Sequence, residues 1–207
     1  MPKLGKQVDR FTHSIARLAE CCARVEGQYA ASRLQLSDIL LVYASSFLSA
    51  CAKWEALIEA CMFEAACGRP STRPGNFRHV RFRSRQHLRE LLLYPNRDYL
   101  PVQSVKAATE VTALLINEGR PISGISEPNR THLQQAGWIR NAIAHESAFA
   151  LRVFREKVPG VAAMLPNQRT PARFLRSEFR INPRQRRYEL YFAAMSSAAR
   201  EIRNSWE

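Results

Sequence analysis

The stretch from Ser37 to Cys67 reads as one long, largely apolar helix, and it constrains the fold more than any other feature of the chain. Apolar residues fall on most sides of this helix, so it is expected to be central and wrapped by others. Ser37-Asp38 supplies a start signal, and Gly68 follows the last residue. The nearest approach to a membrane span, Leu36 to Ala52, carries Asp38 and is followed by Lys53 and Glu55. It falls short of the roughly 18 to 20 uncharged residues a span needs, and the start of the chain shows no apolar signal segment. No membrane is expected.

The remaining segments predict an all-α fold. Val8, Phe11, Ile15, Leu18, Cys22, Val25 and Tyr29 recur by threes and fours, as one seam of an amphipathic helix does. Residues 68–103 are broken by glycines and prolines, and only Arg85 to Tyr94 reads as helix. Val102 to Asn117 predicts a further helix that stops near Gly119 and Pro121. Ser126-Glu127-Pro128 opens another, expected to run to about Glu156 and end at Pro159-Gly160. Runs at Arg173–Ile181 and Arg187–Phe192 flank Asn182-Pro183-Arg184-Gln185 and suggest a short hairpin, although Glu189 to Ser205 reads as helix. The expectation is one domain over residues 1–207. It has a core at about 8–157, a basic insert at 68–103 and a basic extension at 158–207.

The five cysteines, at 21, 22, 51, 61 and 67, are odd in number and form no CxxC pair. Neither a disulfide framework nor a zinc site is indicated, and reduced thiols in a cytoplasmic protein fit better. His13, His79, His87 and His132 make no metal set, and phosphate-loop, dinucleotide and serine-hydrolase signatures are absent. No cofactor is expected.

The net charge of +13 is concentrated. Arg69 to Leu100 holds eight arginines against two acids, and Arg169 to Arg187 holds seven against one. Guanidinium groups make planar, bidentate contacts with phosphate and stack on bases. RNA is therefore the expected partner, with Arg78, Arg81, Arg83, Arg85 and Arg89 from the first cluster as candidate contacts. Arg184, Arg186 and Arg187 from the second, and Arg152, complete the set.

Within the 128–156 helix stands Arg140-Asn141-Ala142-Ile143-Ala144-His145. It combines a cation, a carboxamide and an imidazole, the groups needed to move protons and stabilise charge at a phosphodiester. Chance supplies ~0.6 Arg-x4-His matches in a chain of this composition, but only roughly 0.02–0.03 with Asn in second place. Five helical residues advance about 500°, so Arg140 and His145 point about 140° apart. Asn141 and His145, one turn apart, share a face. On a continuous helix, His145 would sit beside Ala142, Phe149 and Arg152.

Trp138 to Glu146, with this hexapeptide, resembles the signature of the HEPN domains (higher eukaryote and prokaryote nucleotide-binding). The apolar helix containing Trp54-Glu55 resembles the second helix of their RNase L-like ribonucleases. The likeness covers roughly residues 35–157. It implies a bundle of four to five helices, a homodimer with a composite cleft, and metal-independent endoribonuclease activity. On that resemblance His145 is general base or acid, Arg140 stabilises phosphoryl charge, Asn141 orients the imidazole or the phosphate, and Glu55 holds Arg140. The resemblance also implies a toxin or anti-phage setting with an antitoxin or regulatory partner. A non-catalytic module that binds nucleic acid or a protein is the alternative.

Overall fold

The central helix predicted from the sequence spans Leu36–Cys67 and is labelled α2. The computed structural model describes residues 3–68, 70–80, 82, 84–93, 104–180 and 182–207. Before α2 comes α1 (Lys3–Ala30), and after it α3 (Arg85–Leu93), α4 (Val105–Ala113), α5 (Glu127–His145), α6 (Ala148–Lys157) and α7 (Pro171–Arg176). A hairpin, β1 (Glu178–Arg180) and β2 (Gln185–Arg186), leads into α8 (Arg187–Trp206). The fold is all-α with a small antiparallel hairpin near its C-terminal end.

The chain divides into two units. The first comprises Met1–Thr12, Lys53–Arg130 and Ser196–Glu207, the second His13–Ala52 and Thr131–Met195. The unit boundaries lie inside α1, α2, α5 and α8. By length and composition alone, α2 could cross a membrane.

In the first unit, Phe11 of α1 meets Trp54 of α2 with ring centroids 5.8 Å apart. Ile58, Cys61 and Met62 of α2 and Ala198, Ala199 and Ile202 of α8 are buried in the same unit. The polar loop at 70–80 ties itself to the end of α8. The hydroxyls of Ser71 and Thr72 donate to the carbonyls of Trp206 and Glu207, and Asn76 Nδ2 donates to Ser205 O at 2.7 Å. These are carbonyls a helix terminus otherwise leaves without partners. The fourth helix is shorter than the periodicity suggests. Residues 102–103 lie outside the described residues, and α4 ends at Ala113 before a 3-10 turn at Asn117–Gly119. Gly119 takes φ +70°, and a Cβ there would lie 2.7 Å from Thr109 O, so this turn excludes a side chain.

In the second unit the core is aromatic. Tyr43 and Phe47 of α2 meet Tyr188, Tyr191 and Phe192 of α8 at centroid distances of 5.2–6.3 Å. Phe154 of α6 meets Phe174 of α7 edge-on at 5.6 Å. Edge-to-face contacts of this kind add to the stabilisation from burial. Of the strands expected at 173–181 and 187–192, the first is confined to Glu178–Arg180 and the second is not formed; its place is taken by Gln185–Arg186, at the end of the expected turn. Pro171 in the first turn makes 171–176 a helix. Tyr188, Tyr191, Phe192 and Met195 share a buried helical face, so the segment after Arg186 is helix rather than strand.

Candidate active site

Helix α5 carries the Arg140–His145 segment, and its first turn is fixed within the first unit. Glu201 of α8 accepts from Ser126 N at 3.0 Å and from Asn129 Nδ2 at 3.0 Å. Burial would raise the pKa of Glu201, but these hydrogen bonds outweigh it and hold the carboxylate below its ordinary range. Arg130 folds back to donate to the carbonyls of Ile125 and Ser123 at 2.8 and 2.6 Å, locking the loop that enters the helix.

The second half of α5 belongs to the second unit and is oriented by burial. Leu133, Ala136, Ile139 and Ala142 are buried, and Tyr191 donates to Gln135 Oε1 at 3.3 Å. With that stripe inward, Asn141 and His145 are exposed and Arg140 is half-buried. Arg140 Nη1 donates to Asn141 Oδ1 at 3.0 Å. The cation and the amide thus form one local unit, and His145 stands a turn further along.

The helix expected to continue to Glu156 stops at His145. Glu146 adopts φ +47°, outside helical geometry, and Ser147 caps a new helix by accepting from Ala150 N at 3.2 Å. A serine hydroxyl at this position satisfies a donor the new helix would otherwise leave open. Two consequences follow. His145 is the last residue of α5, where the backbone turns away and leaves its imidazole accessible. Phe149 and Arg152 are not its neighbours on one continuous helix. They lie on α6, with the Arg152 guanidinium 5.5 Å from the centre of the exposed Phe149 ring.

Glu55 belongs to the first unit and is half-buried, on a stripe with buried Cys51, Ile58 and Met62. Arg140 belongs to the second unit.

Three described arginines of the first cluster, Arg78, Arg85 and Arg89, meet the C-terminal third of α2. Arg78 donates to the carbonyls of Ala65 and Gly68 at 2.6 and 2.8 Å. Arg85 pairs with buried Glu64, and Arg89 lies 3.6 Å from Glu59. Cations at a helix C-terminus meet its unsatisfied carbonyls and its dipole. Arg81 and Arg83 lie outside the described residues.

In the second cluster, Arg187 lies 4.8 Å over the Phe174 ring and donates to Ser177 Oγ at 3.0 Å. Burial lowers its pKa from the ordinary value. Arg184 pairs with Glu178. Arg186 reaches Glu26 at 3.1 Å and donates to Arg176 O at 2.7 Å.

Sequence reading named Arg184 and Arg186 but missed Arg173 and Arg176 of the same unit as functional candidates. Arg173 and Arg176 of α7 join Arg184 and Arg186 around a cleft of about 280 Å³. The signal was present in spacing. Positions 173 and 176 are neighbours on a helix face. The partner Glu26 lies 150 residues from Arg176, too far for any local pattern to connect them.

Among the described residues, no group of three or more His, Cys, Asp or Glu converges as a metal site would. Cys21, Cys22, Cys61 and Cys67 are free thiols. Burial raises the pKa of the Cys22, Cys61 and Cys67 thiols, which keeps them protonated and poorly nucleophilic. No protein-family model matches the chain, and neither a curated protein nor a solved structure matches it.

Proposed function

We propose that the protein is a metal-independent endoribonuclease of the HEPN type, acting as a homodimer. The observation that supports this best is the end of α5. There Asn141 and His145 are exposed one turn apart, with the half-buried Arg140 bonded to the Asn141 amide. Arg140 and His145 diverge on one helix, so two copies of α5 related by a two-fold axis would bring a guanidinium and an imidazole to one phosphate.

In the reaction, the ribose 2′-hydroxyl attacks the adjacent phosphorus as its proton passes to a base. The P–O2′ bond forms, the P–O5′ bond breaks, and the departing 5′-oxygen takes a proton. His145 serves as base or acid, a role worth roughly 10²–10⁴-fold. Arg140 stabilises charge on the non-bridging oxygens. Asn141 orients Arg140 through the hydrogen bond between them. The ends would be a 2′,3′-cyclic phosphate and a 5′-hydroxyl, and DNA would be spared because it lacks the nucleophile. A toxin or anti-phage role in the cytoplasm, restrained by an antitoxin or regulatory protein, belongs to the same reading.

A non-catalytic module is the second reading. The hydrogen bond that turns Arg140 toward Asn141 favours it, because the bond uses part of the guanidinium within its own helix. Purified protein with end-labelled RNA in EDTA separates the two. The nuclease reading expects cleavage to cyclic-phosphate ends, lost in His145→Ala with helicity unchanged. RNA binding without cleavage by the wild type would replace it with the module.

A further inference from the structure

The cleft in the second unit is built from four guanidinium groups on two adjacent elements. Arg173 and Arg176 come from α7, and Arg184 and Arg186 from the hairpin. Two of them are held rigidly from behind. Glu26 of α1 accepts from Arg176 Nε at 2.8 Å and Nη2 at 3.2 Å, lies 3.1 Å from Arg186 Nη2, and takes the Tyr43 hydroxyl at 2.9 Å. The Arg176 guanidinium also lies 4.7 Å over the Tyr29 ring. Arg184 is two-thirds exposed beside Glu178 at the mouth. Arg173 has no ion-pair partner among the described residues.

Charge and size narrow what such a cleft accepts. Arginine stays protonated at any working pH. Four guanidinium groups against Glu178 and Glu26 leave two positive charges uncompensated. A phosphodiester carries one negative charge, whereas a phosphomonoester carries close to two at neutral pH. At about 280 Å³ the cleft lies at the small end for organic ligands. Its remaining wall is partly apolar, from Leu36, Leu40 and Met164, with the Gln168 amide beside them.

We propose that this cleft binds a nucleoside phosphomonoester, either as a free nucleotide or as the phosphorylated end of a strand. The phosphate would lie against Arg173, Arg176, Arg184 and Arg186. The nucleoside would lie on Leu36, Leu40 and Met164. This site is distinct from the Arg140–His145 segment and does not depend on nuclease activity.

Titration calorimetry of the whole chain tests the inference, with adenosine 5′-monophosphate as probe. Adenosine, inorganic phosphate and the unphosphorylated dinucleotide ApA, whose only phosphate is a diester, serve as comparisons. The monophosphate should bind more tightly than all three. Arg184→Glu and Arg173→Ala should each weaken it about tenfold or more, with unchanged circular dichroism. Arg184→Ala, at an exposed position, gives a milder second variant should either of these fail to fold. A 5′-phosphorylated 2′-O-methyl RNA decamer, which cannot be cleaved through its 2′-oxygen, then separates the two sources. Displacement of the monophosphate by this strand, but not by its 5′-hydroxyl form, assigns a strand end. No displacement assigns a free nucleotide. The proposal is overturned by absence of monophosphate binding up to about 5 mM, by equal affinity for inorganic phosphate or ApA, or by affinity unchanged in the folded variants.

Discussion

Replacing Glu26 with Gln would test how the second unit is held together at the base of the arginine cleft. The Glu26 carboxylate accepts from Tyr43 and Arg176 and pairs with Arg186. The side chains of Glu26, Arg176 and Arg186 are only 18%, 23% and 15% exposed. Glutamine keeps one acceptor oxygen but sets an NH2 group against cationic donors and removes the charge. A hydrogen bond to a charged group contributes about 1.5–3 kcal/mol, and breaking a fully buried pair costs about 3–5 kcal/mol. With residual water contact at all three side chains, we expect a loss of about 2–3 kcal/mol. For a domain of this length that lowers Tm by about 4–12 °C.

Acid pH supplies a second readout of the same contact. Burial would raise the pKa of Glu26, but the hydrogen bonds from Arg176 and Tyr43 and the charges of Arg186 and Arg176 outweigh it, so the folded value is depressed. Stabilisation from a depressed carboxyl is complete above its unfolded value, about 4.3, and disappears as pH falls through the folded value. Urea titrations of wild type and Glu26→Gln should therefore differ fully at neutral pH and converge in acid. A difference below about 0.5 kcal/mol at pH 7.5, or one that persists unchanged in acid, would refute the reasoning.

Two further substitutions probe how α5 is built. Ile139→Ala empties a fully buried position facing away from the exposed Asn141 and should cost about 2–4 kcal/mol in urea unfolding; a cost under about 1 kcal/mol would contradict the inward stripe. Ser147→Ala removes the hydroxyl that accepts from Ala150 N and should cost about 1 kcal/mol by thermal melting. No loss there would mean that the break after His145 does not rest on that cap.

Most of the helical architecture was legible in the sequence, because long amphipathic and apolar runs bury one pattern of side chains whatever surrounds them. The start of α2 differs from the sequence reading by a single residue, at Leu36, and α3 begins at Arg85 as read. The break between α5 and α6 was not legible. Glu146 is an ordinary helix former, and its left-handed backbone with the Ser147 cap carries no glycine or proline signal. The hexapeptide was found because its chemistry lies within six consecutive residues, and its exposure follows from which α5 positions are buried. The roles of the arginines were not legible. Composition registers surplus charge but not whether a guanidinium closes a helix end, as Arg78 does, or braces an aromatic ring, as Arg187 does. The cleft escaped notice because it depends on Glu26, contributed by α1 from far away in the chain.

The central claim is that Arg140 of one copy and His145 of another act on the same phosphate, and subunit mixing tests it most directly. Arg140→Ala and His145→Ala homodimers should each be inactive on labelled RNA in EDTA. Unfolded together and refolded as an equal mixture, half of the dimers would be mixed, and each would contain one of its two sites intact. Activity should return to about a quarter of the wild-type value. A mixture as inactive as its parents, with mixed dimers verified by mass spectrometry, would contradict the composite site.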